Sequence, residues 1–200
     1  MIVVIDYGMG NLRSVSKALE HITNEKIIIT DKIKDIECAK KLVFPGVGAF
    51  GAAINNLKKL RLIPVIKDQI NNNKPFLGLC LGLQVLFEKS QEAKGVKGLG
   101  VLHGQVKKFP SNVKIPHIGW NQIAITKMHP LFNGITNTSF FYFCHSYYVA
   151  PKDKKLVFAR SNYGINFPAV IIKDNLFGIQ FHPEKSQALG LKILKNFIEL

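Results

Sequence analysis

The sequence predicts an α/β fold: an open, mostly parallel sheet with helices on both faces, plus an antiparallel or mixed-strand elaboration. Three observations carry this expectation. Through the first half, short β-branched runs alternate with amphipathic stretches, as in strands buried on both faces and joined by covering helices. From Leu99 the segments become short and alternate in polarity, the habit of half-buried antiparallel strands. The chain then closes on one more apolar run followed by an amphipathic stretch.

Each element has a local reason. Ile2–Ile5 is uninterrupted Ile and Val, a buried first strand, and Leu12–Ile22 is a helix with Leu12, Val15, Leu19 and Ile22 on one face. Residues 27–29 give a second strand, and Asp31 is placed to cap a short helix running to residue 36. Lys41–Phe44 is a third strand, ended by Pro45, which lacks the N–H a ladder needs. Pro45-Gly46-Val47-Gly48 is a loop, residues 52–60 and 63–70 are helical, and Asn71-Asn72-Asn73 breaks the pattern. Phe76–Leu79 is a core strand that runs directly into a helix over 81–87. The later strands are expected at 100–109, 122–125, 140–149, 156–160 and 169–172, with His103 in a hairpin and His117 in a loop. A strand over 176–181 and a helix over 186–198, burying Leu189, Ile193, Leu194 and Phe197, complete the chain. With 200 residues, 47% hydrophobic content and no internal repeat, residues 1–200 are expected to form one domain around one core.

Composition narrows the function classes. The net charge of +14 invites a nucleic-acid reading. The lysines, however, fall in short scattered groups such as Lys58-Lys59 and Lys107-Lys108 without a recognition motif, so a solvated surface and no nucleic-acid partner are expected. No long apolar span and no charged leader precede the first strand, so no membrane association and a cytoplasmic location are expected. The three cysteines, Cys38, Cys80 and Cys144, form no CxxC pair, and no His or acidic spacing suits a metal, so neither disulfide, metal site nor cofactor is expected.

Gly78-Leu79-Cys80-Leu81-Gly82 lies between a core strand and a helix, the setting of a nucleophile elbow with cysteine as the reacting group. The flanking glycines allow backbone to approach backbone while the central residue is strained. The helix N-terminus favours the attacking thiolate, and the Leu81 amide is placed to stabilise an oxyanion. Taken alone, Cys80 could equally be a small buried apolar residue, the reading kept for Cys38 and Cys144. Gln180-Phe181-His182-Pro183-Glu184 supplies the complement. In an extended segment residues two apart project to one side, so Glu184 can orient His182, and His182 can take the cysteine proton. His145 is a rival base without a following carboxylate and is expected to be structural or a substrate wall. His21 and His129 are expected at the surface or in packing.

These motifs resemble those of the class I, triad-type glutamine amidotransferases, and the resemblance spans most of the chain. It is carried by the segments Ile5 to Leu12, Phe44 to Phe50, Gly78 to Gln84, Pro116 to Asn121 and Gln180 to Glu184. The first and fourth point to the branch that feeds the synthase of imidazole glycerol phosphate in histidine biosynthesis. The resemblance implies hydrolysis of L-glutamine to glutamate and ammonia through a Cys80 thioester. It implies Leu81, Val47 and Gly48 amides as the oxyanion hole, and Gln84, Ser146 and Tyr147 as substrate contacts. It also implies delivery of ammonia to a separate (β/α)₈-barrel synthase subunit in a heterodimer. Gly8, Met9, Gly10, Asn11, Trp120 and Asn121 are the candidate docking face, with Trp120 equally readable as core. Competing readings are a peptidase or γ-glutamyl hydrolase, a flavodoxin-like binding module without catalysis, and the same glutaminase serving a paralogous synthase.

Overall fold

The computed structural model describes residues 1–200. Its main sheet has eight strands. Five of them run parallel: β1 (Ile2–Ile5), β2 (Ile27–Thr30), β3 (Lys41–Phe44), β4 (Phe76–Leu79) and β13 (Leu176–Ile179). They lie in the order β2-β1-β3-β4-β13. The sheet continues antiparallel through β12 (Asn166–Lys173), β11 (Val157–Asn162) and the short β8 (Ala124–Ile125). Strand alternation feeds a core on each face, Val3 and Ile5 on one side and Ile2 and Val4 on the other, so the sheet is buried on both faces as its continuous apolar strands require. The helices α1 (Leu12–Ile22), α2 (Ile33–Cys38), α3 (Phe50–Lys59), α4 (Leu62–Asn71) and α6 (Gln187–Glu199) cover these cores. In α1, Val15 and Leu19 are fully buried, with Leu12 and Ile22 packed at the margin.

Because β1, β3, β4 and β13 point the same way, the segments that leave their carboxyl ends meet at one edge of the sheet. Those segments carry Tyr7 to Asn11, Pro45 to Gly48, Cys80 and His182, and this edge is where open α/β sheets place their sites.

Two smaller sheets wall that edge. One joins β5 (Phe87–Ser90), β6 (Leu102–Lys108) and β10 (Tyr147–Pro151). The other is an antiparallel ribbon of β7 (His117–Gln122) and β9 (Phe140–His145), with His117 opposite His145 and Trp120 opposite Tyr142. Its inner face stacks Phe141 on Phe181 at 4.2 Å, while Ile118, Trp120 and Phe140 are exposed on the outer face.

The structure departs from the sequence expectations at several points. The helix expected over 81–87 is a single turn, α5 (Leu81–Gln84), after which the fully buried Phe87 enters β5. In this run Gln84 is the one polar side chain, too little to make the polar face that distinguishes helix from buried strand. The run 140–149 is two strands that part at Ser146 into different sheets. Residues 117–120 belong to β7 and are not a loop. His103 lies on β6, whose partners are the parallel β5 and the distant β10, so it is in no hairpin. Thr30, not Asp31, receives the Lys32 amide at the head of α2. Cys38 and Cys144 are exposed, not buried.

Candidate active site

Cys80 follows β4 with its amide held by the Ile179 carbonyl at 2.7 Å, and its backbone stands at φ 51° and ψ −104°. That conformation is strained for any residue with a Cβ. It persists because the turn is packed on both sides. A Cβ on Gly82 would lie 2.0 Å from the Phe44 carbonyl oxygen, and one on Gly46 would lie 2.6 Å from the Gly82 amide nitrogen. The Pro45 to Gly48 turn and the elbow therefore share one backbone-to-backbone contact. Since α5 is only one turn long, a macrodipole contributes little to the thiolate. Of the sulfur's neighbours, the Gln180 side-chain amide donates to it at 3.6 Å, whereas the Cys144 carbonyl at 3.8 Å accepts from its thiol form.

His182 follows β13, its amide bonded to the Tyr142 carbonyl at 2.8 Å. Ser186 locks the segment: its hydroxyl donates to the His182 carbonyl at 2.6 Å and accepts the Tyr142 amide at 2.9 Å. His182 Nδ1 lies 2.8 Å from Glu184 Oε1, with both side chains essentially withdrawn from solvent. The same oxygen accepts the Asn11 side-chain amide. Burial disfavours a charged imidazole here, yet the negative Cys80 sulfur and the bond to Glu184 outweigh it and raise the His182 pKa to about 10. No hydrogen bond closes from Nε2 within the protein. Nε2 therefore remains the free edge for proton transfer.

Beside Cys80 lies a cavity of about 230 Å³ lined by Val47, Gly48, Leu81, Gln84, Glu92, Pro116 and the segment Cys144 to Tyr147. That size is below the range of drug-sized pockets and suits a small metabolite. The expected residues Ser146 and Tyr147 are in its wall. Gln84 is too, but its amide nitrogen is committed to the Tyr147 carbonyl at 2.9 Å and Gln180 Oε1 at 3.2 Å, which leaves its Oε1 to face a ligand. The Leu81 amide is engaged by the Gly46 carbonyl at 3.4 Å. In a trans peptide the following N–H points the opposite way, so the Val47 amide is turned from Leu81. In this conformation, therefore, the Leu81 and Val47 amides do not converge as the expected oxyanion hole requires. A larger open groove, about 860 Å³ and rich in lysine, lies elsewhere and contains none of Cys80, His182 or Glu184.

Of the expected docking residues, Gly8 and Trp120 are exposed. Met9 packs its methyl against Gly48, while Asn11 and Asn121 turn inward to Glu184 and His117. Sequence reasoning missed Gln180 and Glu92. Gln180 stands two residues before His182 in the same motif, and the bends at Gln180 and Phe181, just past the end of β13, bring its side chain to the sulfur. Glu92, whose carboxylate also accepts the first amide of α3 at 2.8 Å, carried no local signal.

The model of the family "Glutamine amidotransferase class-I" matches residues 3–200. The chain belongs to this family. It is 50% identical over 202 residues to the imidazole glycerol phosphate synthase subunit HisH of Methanocaldococcus jannaschii, covering 100% of both chains. It is 52% identical over 195 residues to the HisH subunit of Aquifex aeolicus, covering 98% of this chain and 94% of that one. These similarities place the class I amidotransferase in the HisH branch. A solved glutamine amidotransferase superposes with a TM-score of 0.78 at 16% identity, covering 100% of this chain and 98% of that one. The PurLQS structure from Thermotoga maritima superposes with 0.76 at 18% identity, covering 99% and 97%. At such identities the agreement speaks for the fold, which is the open α/β sheet expected from the sequence.

Proposed function

We propose that Cys80 attacks the side-chain amide of L-glutamine, with His182 as acid and base and Glu184 orienting the ring. The HisH branch consists of glutaminase subunits of imidazole glycerol phosphate synthase in histidine biosynthesis, and this chain is one of them. The observation that carries the residue assignment is the pairing of Cys80, at the edge of a metabolite-sized cavity, with a buried His182–Glu184 pair at 2.8 Å.

The Cys80 sulfur forms a bond to the amide carbon, and the carbonyl becomes an oxyanion. His182 then gives its Nε2 proton to the departing nitrogen, so ammonia leaves and a thioester remains. Water, deprotonated by His182, attacks the thioester, and glutamate leaves as the sulfur is restored. The Leu81, Val47 and Gly48 amides would hold the oxyanion once the Gly46–Val47 peptide has turned. Glu92 suits the substrate α-ammonium, and Gln84, Ser146 and Tyr147 suit its remaining polar groups.

The ammonia passes, in this reading, to a separate (β/α)₈-barrel synthase subunit in a cytoplasmic heterodimer. Ile118, Trp120 and Phe140 offer the apolar, aromatic surface that anchors interfaces. The test is glutamate release by wild type and Cys80→Ala, with and without the barrel subunit. Release that needs both Cys80 and the barrel is the expected result. Release indifferent to the barrel would move the partner elsewhere, and none under any condition would end the glutaminase assignment.

A further inference from the structure

The wall of the cavity is held by a chain of side chains that reaches back to the exposed ribbon. It begins at the Asn162 carbonyl, which accepts Asn121 Nδ2 at 2.8 Å. The same nitrogen lies 3.2 Å from His117 Nε2, His117 Nδ1 lies 3.1 Å from His145 Nε2, and His145 Nδ1 lies 2.8 Å from the Tyr147 carbonyl. A carbonyl at each end fixes every proton between. Asn162 requires the nitrogen of Asn121 to face it, so the second hydrogen of that nitrogen meets a bare His117 Nε2. A neutral His117 then carries its proton on Nδ1 and gives it to a bare His145 Nε2. His145 carries its proton on Nδ1 and gives it to Tyr147.

A proton added to either ring would set two donors face to face. Burial accordingly lowers His145 to about 3 and His117 to about 4, so both stay neutral. Stacking holds the middle ring: Tyr163 lies 4.0 Å and Phe143 5.0 Å from His117, both nearly parallel to it. At one end His145 pins the strand break at Ser146, whose flanking residues line the cavity. At the other end Asn121 sits next to Trp120 on β7, the exposed strand of the ribbon.

We propose that His117 and Asn121 are positioning residues for glutamine, acting through His145 to hold the Cys144 to Tyr147 wall in register with β7. The proposal rests on the glutaminase reading for its substrate, but its proton arrangement does not. Neither residue touches the cavity, so their effect should fall on substrate binding more than on turnover.

Two variants separate positioning from packing. His117→Phe keeps the stack and removes the relay, whereas His117→Gln can still donate to His145 and accept from Asn121. In the complete synthase complex, His117→Phe is expected to raise the glutamine KM about tenfold with a smaller change in kcat, and His117→Gln to recover most of that loss. An unchanged KM in a folded His117→Phe protein would overturn the role. Histidine nitrogen NMR of the wild type decides the chain independently of any activity. Both rings protonated at Nδ1 is the expected result, and an Nε2 proton on either would refute it. Absence of glutaminase activity beside the expected tautomers would instead count against the proposed substrate.

Discussion

Asn11 donates its side-chain amide to the Glu184 oxygen that also holds His182, joining the head of α1 to the triad across 173 residues of chain. The bond supplies a second donor to a carboxylate that has left water. Its partner oxygen Oε2 has no donor at all. Removing Asn11 therefore leaves a buried carboxylate less compensated and its orientation looser. Asn11→Ala is expected to lower kcat about tenfold and the thermal midpoint by a few degrees, as loss of a charged-group interaction worth ~1.5 kcal/mol would. Steady-state kinetics of the complex check it. Unchanged kcat with weakened subunit association would return Asn11 to docking alone.

Gln180 bridges the two sides of the site. Its amide nitrogen points at the Cys80 sulfur, and its oxygen receives Gln84. Gln180→Leu keeps much of the volume, withdraws the donor from the sulfur and strands the Gln84 nitrogen. Alkylation of Cys80 by iodoacetamide is expected to slow about tenfold. Equal rates in variant and wild type would show that the sulfur needs no amide donor.

The elbow makes a stability prediction opposite in sign to its activity prediction. Cys80→Ala and Cys80→Gly both lose glutamine hydrolysis, but only glycine is at ease at φ 51°. Cys80→Gly is expected to be more stable than Cys80→Ala by about 1 kcal/mol, the strain relieved less the added freedom of the unfolded chain. Gly82→Ala goes the other way, because its Cβ would overlap the Phe44 carbonyl at 2.0 Å. Denaturant midpoints of the three proteins provide the comparison, and Cys80→Ala exceeding Cys80→Gly would remove strain from the account.

What could be read from the sequence was whatever is local. The elbow lies within five residues and His182 with Glu184 within three, so both pairings are local, although His182 and Glu184 meet across a 3₁₀ turn over Pro183–Lys185 and not along the extended segment expected. The parallel half of the fold was equally legible, since β1, β3, β4 and β13 are short apolar runs that only a doubly covered sheet can bury. What could not be read depends on pairing between distant strands. His117 faces His145 only because β7 and β9 pair in one register, and a one-residue slip would turn His117 outward. The run 81–87 was misassigned for a related reason. Its change from helix to strand is imposed by the partner strand β6, which the run itself does not encode.

The histidines set opposite edges to the pH range of stability. His117 and His145 remain neutral in the fold down to about 4 and about 3, because burial penalises their charge. In the unfolded chain they protonate below about 6.5. The unfolded state thus binds more protons as pH falls from about 6.5 toward 4, and stability is lost over that window. His182 behaves in reverse: burial opposes its charge, but Cys80 and Glu184 prevail and hold it at about 10. Its contribution is complete below about 6.5 and disappears as pH rises through about 10. Urea midpoints are therefore expected to be highest near neutrality and to fall on both sides. In His117→Phe one of the two acid-sensitive rings is gone, so its midpoint should fall less between pH 7 and pH 5 than that of the wild type, even if it begins lower. A parallel fall in both proteins would mean that His117 is not held neutral by its burial, and that the acid limb belongs to other groups.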